Sequence, residues 1–416
     1  MEVTSFRSVL GRLVAAASPG PPPLPPGACR TPGGAPCRLC HARSLSYEAE
    51  VILKDRALAS FWNDAAADVP LAPLVRSPQG RGYRTVSKRK VSGSPPRIRL
   101  GLIDPSGGPD GASVDVVRCL IEPDAHAAIY AAASARLADP ALLPLAGVIR
   151  YVIIRGSYEE FWVILSVGSL GGGVIRAANS LSRTLTRAVP AVRGVFLHTD
   201  TGNGRYYMGD GGEADPRGTR RIFGQADVFR RIAGWSFLSS PFCFSQVNQY
   251  LVETLAEGVR DLLRPSASST LYDLYCGYGL FGLILARGYA GVVGVESSRP
   301  AVESAGANAS RQGAGNIRFL RRDITGATTE KILHGASFRD HVLLDPPRGG
   351  TAPGVIEALA ASAAGRVVHL FCAADLVADE LHRWTENGFR PLRAIPYDMF
   401  PGTSEVEIAV LLERKR

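Results

Sequence analysis

Acidic and reactive side chains stand near the ends of five predicted strands in the C-terminal part of the chain. The strands are apolar runs at residues 270–275, 291–296, 317–320, 341–345 and 367–371, and helical patterns separate them. The side chains are those of Asp273, Glu296, Asp323, Asp345 and Cys372. This alternation predicts a doubly wound parallel α/β sheet, whose carboxyl edge is where ligands bind. We therefore expect one site that contains a thiol and several carboxylates.

The turn after the first of these strands is rich in glycine. Gly277, Gly279 and Gly282 have the GxGxxG spacing of a dinucleotide-binding turn. Such glycines let a nucleotide approach the backbone, and Glu296 at the end of the next strand could accept the hydroxyl groups of its ribose. S-adenosylmethionine and a nicotinamide dinucleotide both fit this pattern, and a purely structural turn is the third interpretation.

The segment Asp345-Pro-Pro-Arg348 favours the methyl donor. Two prolines after a strand-end acid make a rigid floor beside a cofactor, and a nicotinamide site has no evident use for one. Arg348 could contact a phosphate or a surface carboxylate. Cys372 alone would ordinarily be a packed core cysteine, but its position beside this floor favours a nucleophile. Glu405 and Glu407 alternate in a strand-like run, so periodicity does not choose between them as an acid.

A second group of cysteines lies near the front of the chain. Cys29, Cys37 and Cys40 are separated by seven and two residues, and Cys119 lies far downstream. Four thiolates could hold zinc or a 4Fe-4S cluster, and unligated thiols are the remaining alternative. The total of seven cysteines is odd and no secretory signal is visible, which argues against a disulfide framework. We assign the remaining pair, Cys243 and Cys276, to packing.

Length, composition and charge limit the class of protein. A chain of 416 residues with 46% hydrophobic residues predicts two or three globular domains. No run approaches the roughly 20 apolar residues of a membrane span, so we expect a cytoplasmic protein, and we expect a monomer. Residues 1–100 hold 15 Lys and Arg but 6 Asp and Glu, which accounts for the whole net charge of +9. Such a basic region favours nucleic acid, and the run from Arg81 to Lys90 predicts either an RNA surface or a solvated strand.

Changes in composition predict three regions. Residues 1–28 contain the run PGPPPLPPG and are expected to be a loose leader. Residues 29–238 are predicted to be a β-rich, RNA-engaging region with strands at 97–103, 148–154 and 160–167. Residues 239–416 are predicted to form the α/β domain, which begins with a helix over 246–263.

Four runs and the strand-end cysteine, in this order and spacing, resemble the RNA uridine C5-methyltransferase family over about residues 236–416. The runs are DLYCGYGLFGLILA, VVGVE, DPPRGG and DMFPGTSEVEIAVLLER. The segment 242–248 is similar to the family's motif on the helix that leads into the catalytic domain. The resemblance implies a Rossmann-like domain that uses S-adenosylmethionine to methylate carbon 5 of a uridine in structured RNA.

The cysteines near the front of the chain indicate which branch of the family the chain resembles. Their spacing, with no OB-like TRAM domain before them, resembles the iron–sulfur branch of the family that acts on 23S ribosomal RNA. This implies a 4Fe-4S cluster on Cys29, Cys37, Cys40 and Cys119, with an organising and not a redox role. A uridine in the T-loop of tRNA is the alternative substrate.

The resemblance also implies roles for individual residues. Cys372 would attack carbon 6 of the uracil, and Glu407 would then remove the proton from carbon 5. The residues implied to surround S-adenosylmethionine are Gln246, Tyr275, Glu296, Asp323 and Asp345. The alternatives from other classes are a noncatalytic RNA-binding protein of this fold and a nicotinamide oxidoreductase.

The chain departs from the family pattern at two places. Many members have Ser-Cys-Asn-Pro around the nucleophile, whereas this chain has Phe371-Cys-Ala-Ala-Asp375. Glu405 occupies a position that is often histidine in the family. The resemblance therefore does not predict how the loop after Cys372 is held, and a misplaced loop would leave a protein that binds RNA without methylating it.

Overall fold

The computed structural model describes residues 5–17, 28–37, 39–41, 45–103, 113–200 and 218–415. Within these ranges, two seven-stranded sheets and a two-stranded ribbon form the β structure, and helices cover the sheets. None of the helices in the described ranges is long and apolar enough to cross a membrane.

The chain begins with two helices, α1 (Phe6–Ala16) and α2 (Tyr47–Ala66). Ser5 and Ser46 cap them by accepting backbone N–H groups of the first turn. Phe6, Val9 and Leu10 are spaced for one helix face, and this face is buried in the same hydrophobic cluster as α2 and the C-terminal domain. The loose leader expected over 1–28 is therefore replaced by a packed helix over its first part, while the proline-rich run 19–27 lies outside the described residues.

The central sheet has the strand order β3-β2-β1-β4-β5-β6-β7. Its strands are β1 (Ser87–Ser92), β2 (Arg99–Ile103), β3 (Ser113–Asp115), β4 (Ile149–Gly156), β5 (Phe161–Val167), β6 (Val192–Thr199) and β7 (Thr219–Gly224). Its helices are α3 (Asp124–Leu137), α4 (Leu143–Ala146) and α5 (Gly172–Ala188). The apolar runs predicted as strands are β2, β4 and β5. The region is predicted to be β-rich, but it contains more helix than expected. One reason is that β5 and β6 are parallel, so the chain must cross over between them, and α5 forms this crossover.

A β-ribbon joins the central region to the C-terminal domain. It consists of β8 (Val228–Ile232) and β9 (Trp235–Ser239), which pair in an antiparallel register. The next helix, α6 (Gln249–Leu263), starts three residues later than the predicted 246. It ends where Arg264 adopts a left-handed conformation before Pro265.

The C-terminal sheet has the order β12-β11-β10-β13-β14-β16-β15. Its strands are β10 (Thr270–Leu274), β11 (Gly291–Glu296), β12 (Ile317–Arg321), β13 (His341–Leu344), β14 (Arg366–Phe371), β15 (Phe389–Tyr397) and β16 (Glu407–Arg414). The helices are α7 (Leu280–Leu285), α8 (Arg299–Gln312), α9 (Gly326–Ile332), α10 (Val355–Ala361) and α11 (Val377–Glu386). The first five strands are parallel, and β16 then pairs antiparallel with both β14 and β15. This confirms the predicted Rossmann-like α/β fold.

A buried ionic network connects α2 to the loop between β15 and β16. Lys54 is fully buried, and its ammonium group donates to Asp398 Oδ1 at 2.7 Å and to the carbonyl oxygen of Phe400 at 3.2 Å. It also lies 3.0 Å from Glu50 Oε1, and the backbone N–H of Gly402 donates to this same oxygen. The front of the chain thus holds the segment that leads to Glu407.

Replacing Lys54 by alanine should lower the free energy of unfolding by about 3 kcal/mol, because Asp398 and Glu50 would remain buried without their shared cation. Equilibrium unfolding in urea measures this change. Lys331→Ala, at an exposed position on α9, is the matched control and should change stability by less than about 0.5 kcal/mol. Equal effects of the two substitutions would contradict a structural role for the network.

Candidate active site

The glycine-rich turn after β10 approaches the end of β11. The backbone N–H of Gly277 donates to Glu296 Oε2 at 3.1 Å, and that of Ser298 donates to Oε1 at 2.8 Å. Gly277 and Gly279 have φ values of 54° and 84°, in the left-handed region that glycine adopts easily. Tyr275, which precedes them, has a φ of 66°, an uncommon conformation for a bulky residue. The turn is therefore shaped for close approach to its backbone beside a positioned carboxylate.

Asp273 is a member of this site that the sequence placed near a strand end without giving it a role. It is fully buried, and its Oδ2 accepts the backbone N–H of Gly282 at 2.9 Å. Its Oδ1 has no hydrogen-bond partner within the described part of the chain. Burial raises the pKa of Asp273 to about 8, and the nearby Asp345 carboxylate contributes to the increase. In the sequence, the one feature that could have indicated a role for Asp273 is that it is the single acid in the apolar run TLYDL.

Asp345 lies at the centre of the site, directly after β13. Its Oδ2 is 3.5 Å from Gln246 Nε2, and its Oδ1 is 3.7 Å from Cys372 Sγ. Burial raises the pKa of Asp345 to about 7, although its hydrogen bond with Cys372 opposes this increase. Gln246 is itself buried, immediately before α6. The structure thus brings together residues that are 99 and 27 positions apart in sequence.

Cys372 follows the last residue of β14. Its thiol contacts the carbonyl oxygen of Pro346 at 3.5 Å as well as Asp345. Burial raises the pKa of Cys372 well above its usual range, with the Glu407 and Asp345 carboxylates adding to the effect and Arg348 opposing it. The thiol is therefore protonated near neutral pH in this state and needs an acceptor for its proton before it can attack.

Glu407 is the first residue of β16. The register pairs Phe371 with Ile408, so one residue further along the ladder Cys372 is opposite Glu407. Glu407 is 2% exposed, and its Oε2 has no hydrogen-bond partner among the described residues. Burial raises the pKa of Glu407 well above its usual range, with Asp345 adding to the effect and Arg348 opposing it. The structure therefore places an available carboxyl oxygen beside the cysteine.

Glu405 has different contacts from Glu407. Its Oε1 is 2.6 Å from Arg7 Nη2 of α1, and its Oε2 is 2.5 Å from Arg348 Nη2. Of the two partners considered for Arg348, a phosphate or a surface carboxylate, the structure shows the carboxylate. These ion pairs leave Glu407, which sequence periodicity could not distinguish from Glu405, as the acid beside Cys372.

Asp323 and Tyr275 are the remaining predicted cofactor residues. Asp323 follows β12 and is exposed, and its backbone carbonyl oxygen accepts the Thr328 hydroxyl at 2.6 Å. Tyr275 follows β10 and is half-buried. Gln246 and Asp345 thus contact each other, Glu296 is held by the glycine-rich turn, and Asp323 lies exposed after β12.

The four front cysteines are brought together in the central region. Cys29, Cys37, Cys40 and Cys119 line one cavity of about 400 Å³, and Arg84 and Lys88 also form part of its wall. The backbone N–H of Cys29 donates to the carbonyl oxygen of Arg118, next to Cys119, at 2.8 Å. Among the residues that the structure describes, no three His, Cys, Asp or Glu side chains are grouped as the ligands of one metal ion.

The basic run from Arg81 to Lys90 faces inward more than an RNA surface would. Arg89 is 2% exposed and donates to both carboxyl oxygens of Glu122, at 2.8 and 2.6 Å. Arg81 donates to Glu50 at 2.9 Å. The backbone N–H of Thr85 donates to the carbonyl oxygen of Val247 at 2.9 Å, next to Gln246. Much of the positive charge in this run therefore stabilises the fold, and the run supports the active-site motif.

Replacing Arg348 by glutamine should raise the pKa of Cys372 further, because Arg348 is the cation that lowers it. The pH profile of Cys372 alkylation by iodoacetamide should move to higher pH, which peptide mass spectrometry can follow. Arg311→Gln, an exposed position on α8, is the matched control and should leave the profile unchanged. A profile that does not move in the Arg348 variant would show that solvent screens this cation completely.

The chain is similar in sequence to proteins named as 23S rRNA methyltransferases. The chain is 40% identical over 173 residues to 23S rRNA (uracil(1939)-C(5))-methyltransferase of Pseudomonas aeruginosa, covering 42% of the chain and 38% of that protein. It is 29% identical over 346 residues to 23S rRNA (uracil(747)-C(5))-methyltransferase of Cronobacter sakazakii, covering 80% of the chain and 86% of that protein. The chain spans about two fifths of the length of the relatives that it matches at 34 to 40% identity.

A solved structure with a similar fold and a family model also match the chain. The structure of Pyrococcus abyssi tRNA (uracil-54, C5)-methyltransferase, solved with S-adenosyl-L-homocysteine, aligns with a TM-score of 0.64 at 20% sequence identity. That alignment covers 91% of the chain and 87% of the solved protein, which shows a shared fold. Residues 235–415 match the family model described as tRNA (Uracil-5-)-methyltransferase. Over these C-terminal residues, the chain is thus similar to the RNA uracil-C5-methyltransferase family.

Proposed function

We propose that the protein transfers the methyl group of S-adenosylmethionine to carbon 5 of a uridine in RNA, with 23S ribosomal RNA as the favoured substrate. The observation that carries this proposal is the meeting of Cys372, Asp345 and Glu407 at the edge of the C-terminal sheet. A thiol beside two buried carboxyl groups supplies a nucleophile and two proton acceptors.

The methyl donor fits the turn after β10. Glu296 is held by backbone N–H groups in a position to accept ribose hydroxyls, and Gln246 and Asp345 stand on the side toward Cys372. Asp273 keeps the turn in place through Gly282. When bound, S-adenosylmethionine supplies an electrophilic methyl group on a sulfonium centre. Asp323 remains a proposed contact to the adenine from the exposed end of β12.

Covalent attack makes carbon 5 of uracil reactive. Cys372 Sγ forms a bond to carbon 6 of the uracil, and the thiol proton passes to Asp345, whose pKa of about 7 suits this role. The electron pair of the 5,6 double bond moves into the carbonyl group at position 4 as an enolate. Carbon 5 of this enolate can then take the methyl group that bound S-adenosylmethionine would supply, with S-adenosylhomocysteine as the leaving group. The target base must leave its stack in the RNA to reach Cys372.

Glu407 completes the reaction. Its buried carboxylate accepts the proton from carbon 5, and a raised pKa makes it a stronger base than an exposed glutamate. The electrons of the C–H bond re-form the 5,6 double bond and expel Cys372 as a thiolate. The product is 5-methyluridine in the RNA, and Asp345 can return its proton to the thiolate.

Relatives of the chain support ribosomal RNA as the substrate. The Cronobacter sakazakii relative, named for a uracil of 23S rRNA, aligns over 80% of the chain. The tRNA-modifying structure is similar in fold at 20% identity, so tRNA is kept as the alternative substrate. Helix α5 offers a surface for the phosphate backbone, because it exposes Arg176, Arg183 and Arg187 and contains no acidic residue.

A 4Fe-4S cluster is the group that best fits the four front cysteines. Zinc would need all four thiolates at about 2.3 Å from one point. A cubane cluster spaces its thiolates around a larger body, which suits a cavity of about 400 Å³. Arg84 and Lys88 in the wall would offset the negative charge of the thiolates. When bound, the cluster would organise this region, since methyl transfer from a sulfonium needs no electron.

The covalent mechanism predicts a trapped intermediate with RNA that contains 5-fluorouridine, because fluorine at carbon 5 cannot be removed as a proton. With S-adenosylmethionine present, the unmodified protein should form a stable protein–RNA adduct on denaturing gels. Cys372→Ala should form none. In Glu407→Gln, Cys372 should still attack the uracil, but the protein should remain as a covalent adduct on normal RNA because the proton at carbon 5 is not removed.

Controls separate catalysis from binding. Cys243→Ser, at a buried cysteine whose thiol lies 3.8 Å from the Ser304 hydroxyl, should form the adduct like the unmodified protein. RNA binding without any adduct, on both 23S rRNA and tRNA fragments, would favour the noncatalytic alternative. An adduct that survives in Cys372→Ala would overturn the assignment of the nucleophile.

Protein purified without oxygen should be brown if the cluster is present, because zinc has a filled d shell and no visible absorbance. Iron and acid-labile sulfide should each approach about four per chain. Cys119→Ser should lose most of this iron, whereas Cys243→Ser should keep it. Colourless protein with one zinc per chain would contradict the cluster.

A further inference from the structure

The first turn of α1 lies against the two segments in which the chain departs from its family. The backbone N–H of Phe6 donates to Asp375 Oδ1 at 3.0 Å, three residues after Cys372. Arg7, the next residue, pairs with Glu405 at 2.6 Å. Asp375 lies in the short 3-10 helix Ala374–Leu376, within the loop segment after Cys372 that lacks the family's Asn-Pro, and Glu405 replaces the family's frequent histidine. One turn of helix therefore contacts both unusual segments of the site.

These contacts are backed by packing. Phe6 is 1% exposed and belongs to the same hydrophobic cluster as Phe371 and Ala374, which stand on either side of Cys372. The Phe6 ring also meets the Phe61 ring of α2 edge-on, with 6.2 Å between the ring centroids. Helix α1 is thus fixed to the core on one side and to the Cys372 loop on the other.

The Asp375 contact has a physical reason to be stabilising. The first N–H groups of a helix have no partner inside the helix, and its N-terminus carries partial positive charge. Asp375 brings a carboxylate to this end, so the hydrogen bond is charge-assisted. A loop without proline has more backbone freedom, and an anchor three residues beyond Cys372 removes part of that freedom.

We propose that α1 is a positioning element of the active site, which holds the Cys372 loop through Asp375 in place of the rigid Asn-Pro of related enzymes. Asp375 is a positioning residue, because it acts on Cys372 through the loop and not on the substrate. This inference rests on the proposed function, but the state of the Cys372 loop can be measured without RNA.

The test compares Asp375→Ala, which removes the acceptor, with Asp375→Asn, which keeps an acceptor oxygen without the charge. Asp139→Ala is the matched control, since Asp139 likewise accepts a backbone N–H, that of Ala141 at 2.8 Å, at the start of a short helix in the central region. Three readouts are taken for each variant. They are the pH profile of Cys372 alkylation by iodoacetamide, kcat and KM for methyl transfer to RNA, and the thermal unfolding midpoint.

In Asp375→Ala, a released loop should expose Cys372, so alkylation should become faster and its profile should move toward the pH of an ordinary thiol. Methyl transfer should lose about tenfold in kcat with little change in KM for RNA, since small misplacements of reacting groups are costly. Asp375→Asn should restore most of both properties. Asp139→Ala should change neither, even where its unfolding midpoint falls equally.

Unchanged alkylation in Asp375→Ala, or an equal loss of kcat in Asp139→Ala, would overturn the inference. If the protein transferred no methyl group to any RNA tested, the proposed function would fail. The alkylation profiles would then still decide whether α1 holds the loop, so the two failures are distinguishable.

Discussion

The antiparallel register between β14 and β16 is the constraint on which the active site depends. Parallel strands alone bring Glu296, Asp345 and Cys372 to one edge, but the acid beside the thiol comes from a strand that runs in the opposite direction. A slip of one residue would turn Glu407 away from that edge and bring a neighbouring residue to face Cys372. The register is fixed by the residues that follow, because Ile408, Ala409, Val410 and Leu412 of β16 are all fully buried.

The segment that carries Glu407 is held by elements from the opposite end of the chain. Lys54 and Glu50 of α2 bind the loop after β15, and Tyr83 donates to the carbonyl oxygen of Pro401 at 2.9 Å. Thr403 of the same loop lies in the wall of the four-cysteine cavity. The cavity and the catalytic edge are therefore connected through one loop. A group bound by the cysteines would therefore stabilise the loop that leads to Glu407 without taking part in the reaction.

The features that could be predicted from the sequence are those in which a local residue pattern also determines where the side chains lie in the fold. The apolar runs and glycine turn predicted the C-terminal sheet and the edge at which Glu296, Asp345 and Cys372 lie. The sequence alone could not predict α1, because eleven residues with one apolar face read as a weak segment until the surface that buries Phe6 is known. It could not choose between Glu405 and Glu407, since the choice depends on Arg7 and Arg348, which come from distant elements. The run around Arg89 looked like an exposed basic surface because the partner, Glu122, is 33 residues away.

The central claim is that this edge of the sheet methylates carbon 5 of a uridine in RNA. The most direct measurement incubates the protein with methyl-labelled S-adenosylmethionine and 23S ribosomal RNA that lacks the modification, then digests the RNA and identifies its labelled nucleosides by mass spectrometry. We expect the label in 5-methyluridine and in no other nucleoside. Label in any other nucleoside, or RNA that is bound but unlabelled, would contradict this claim.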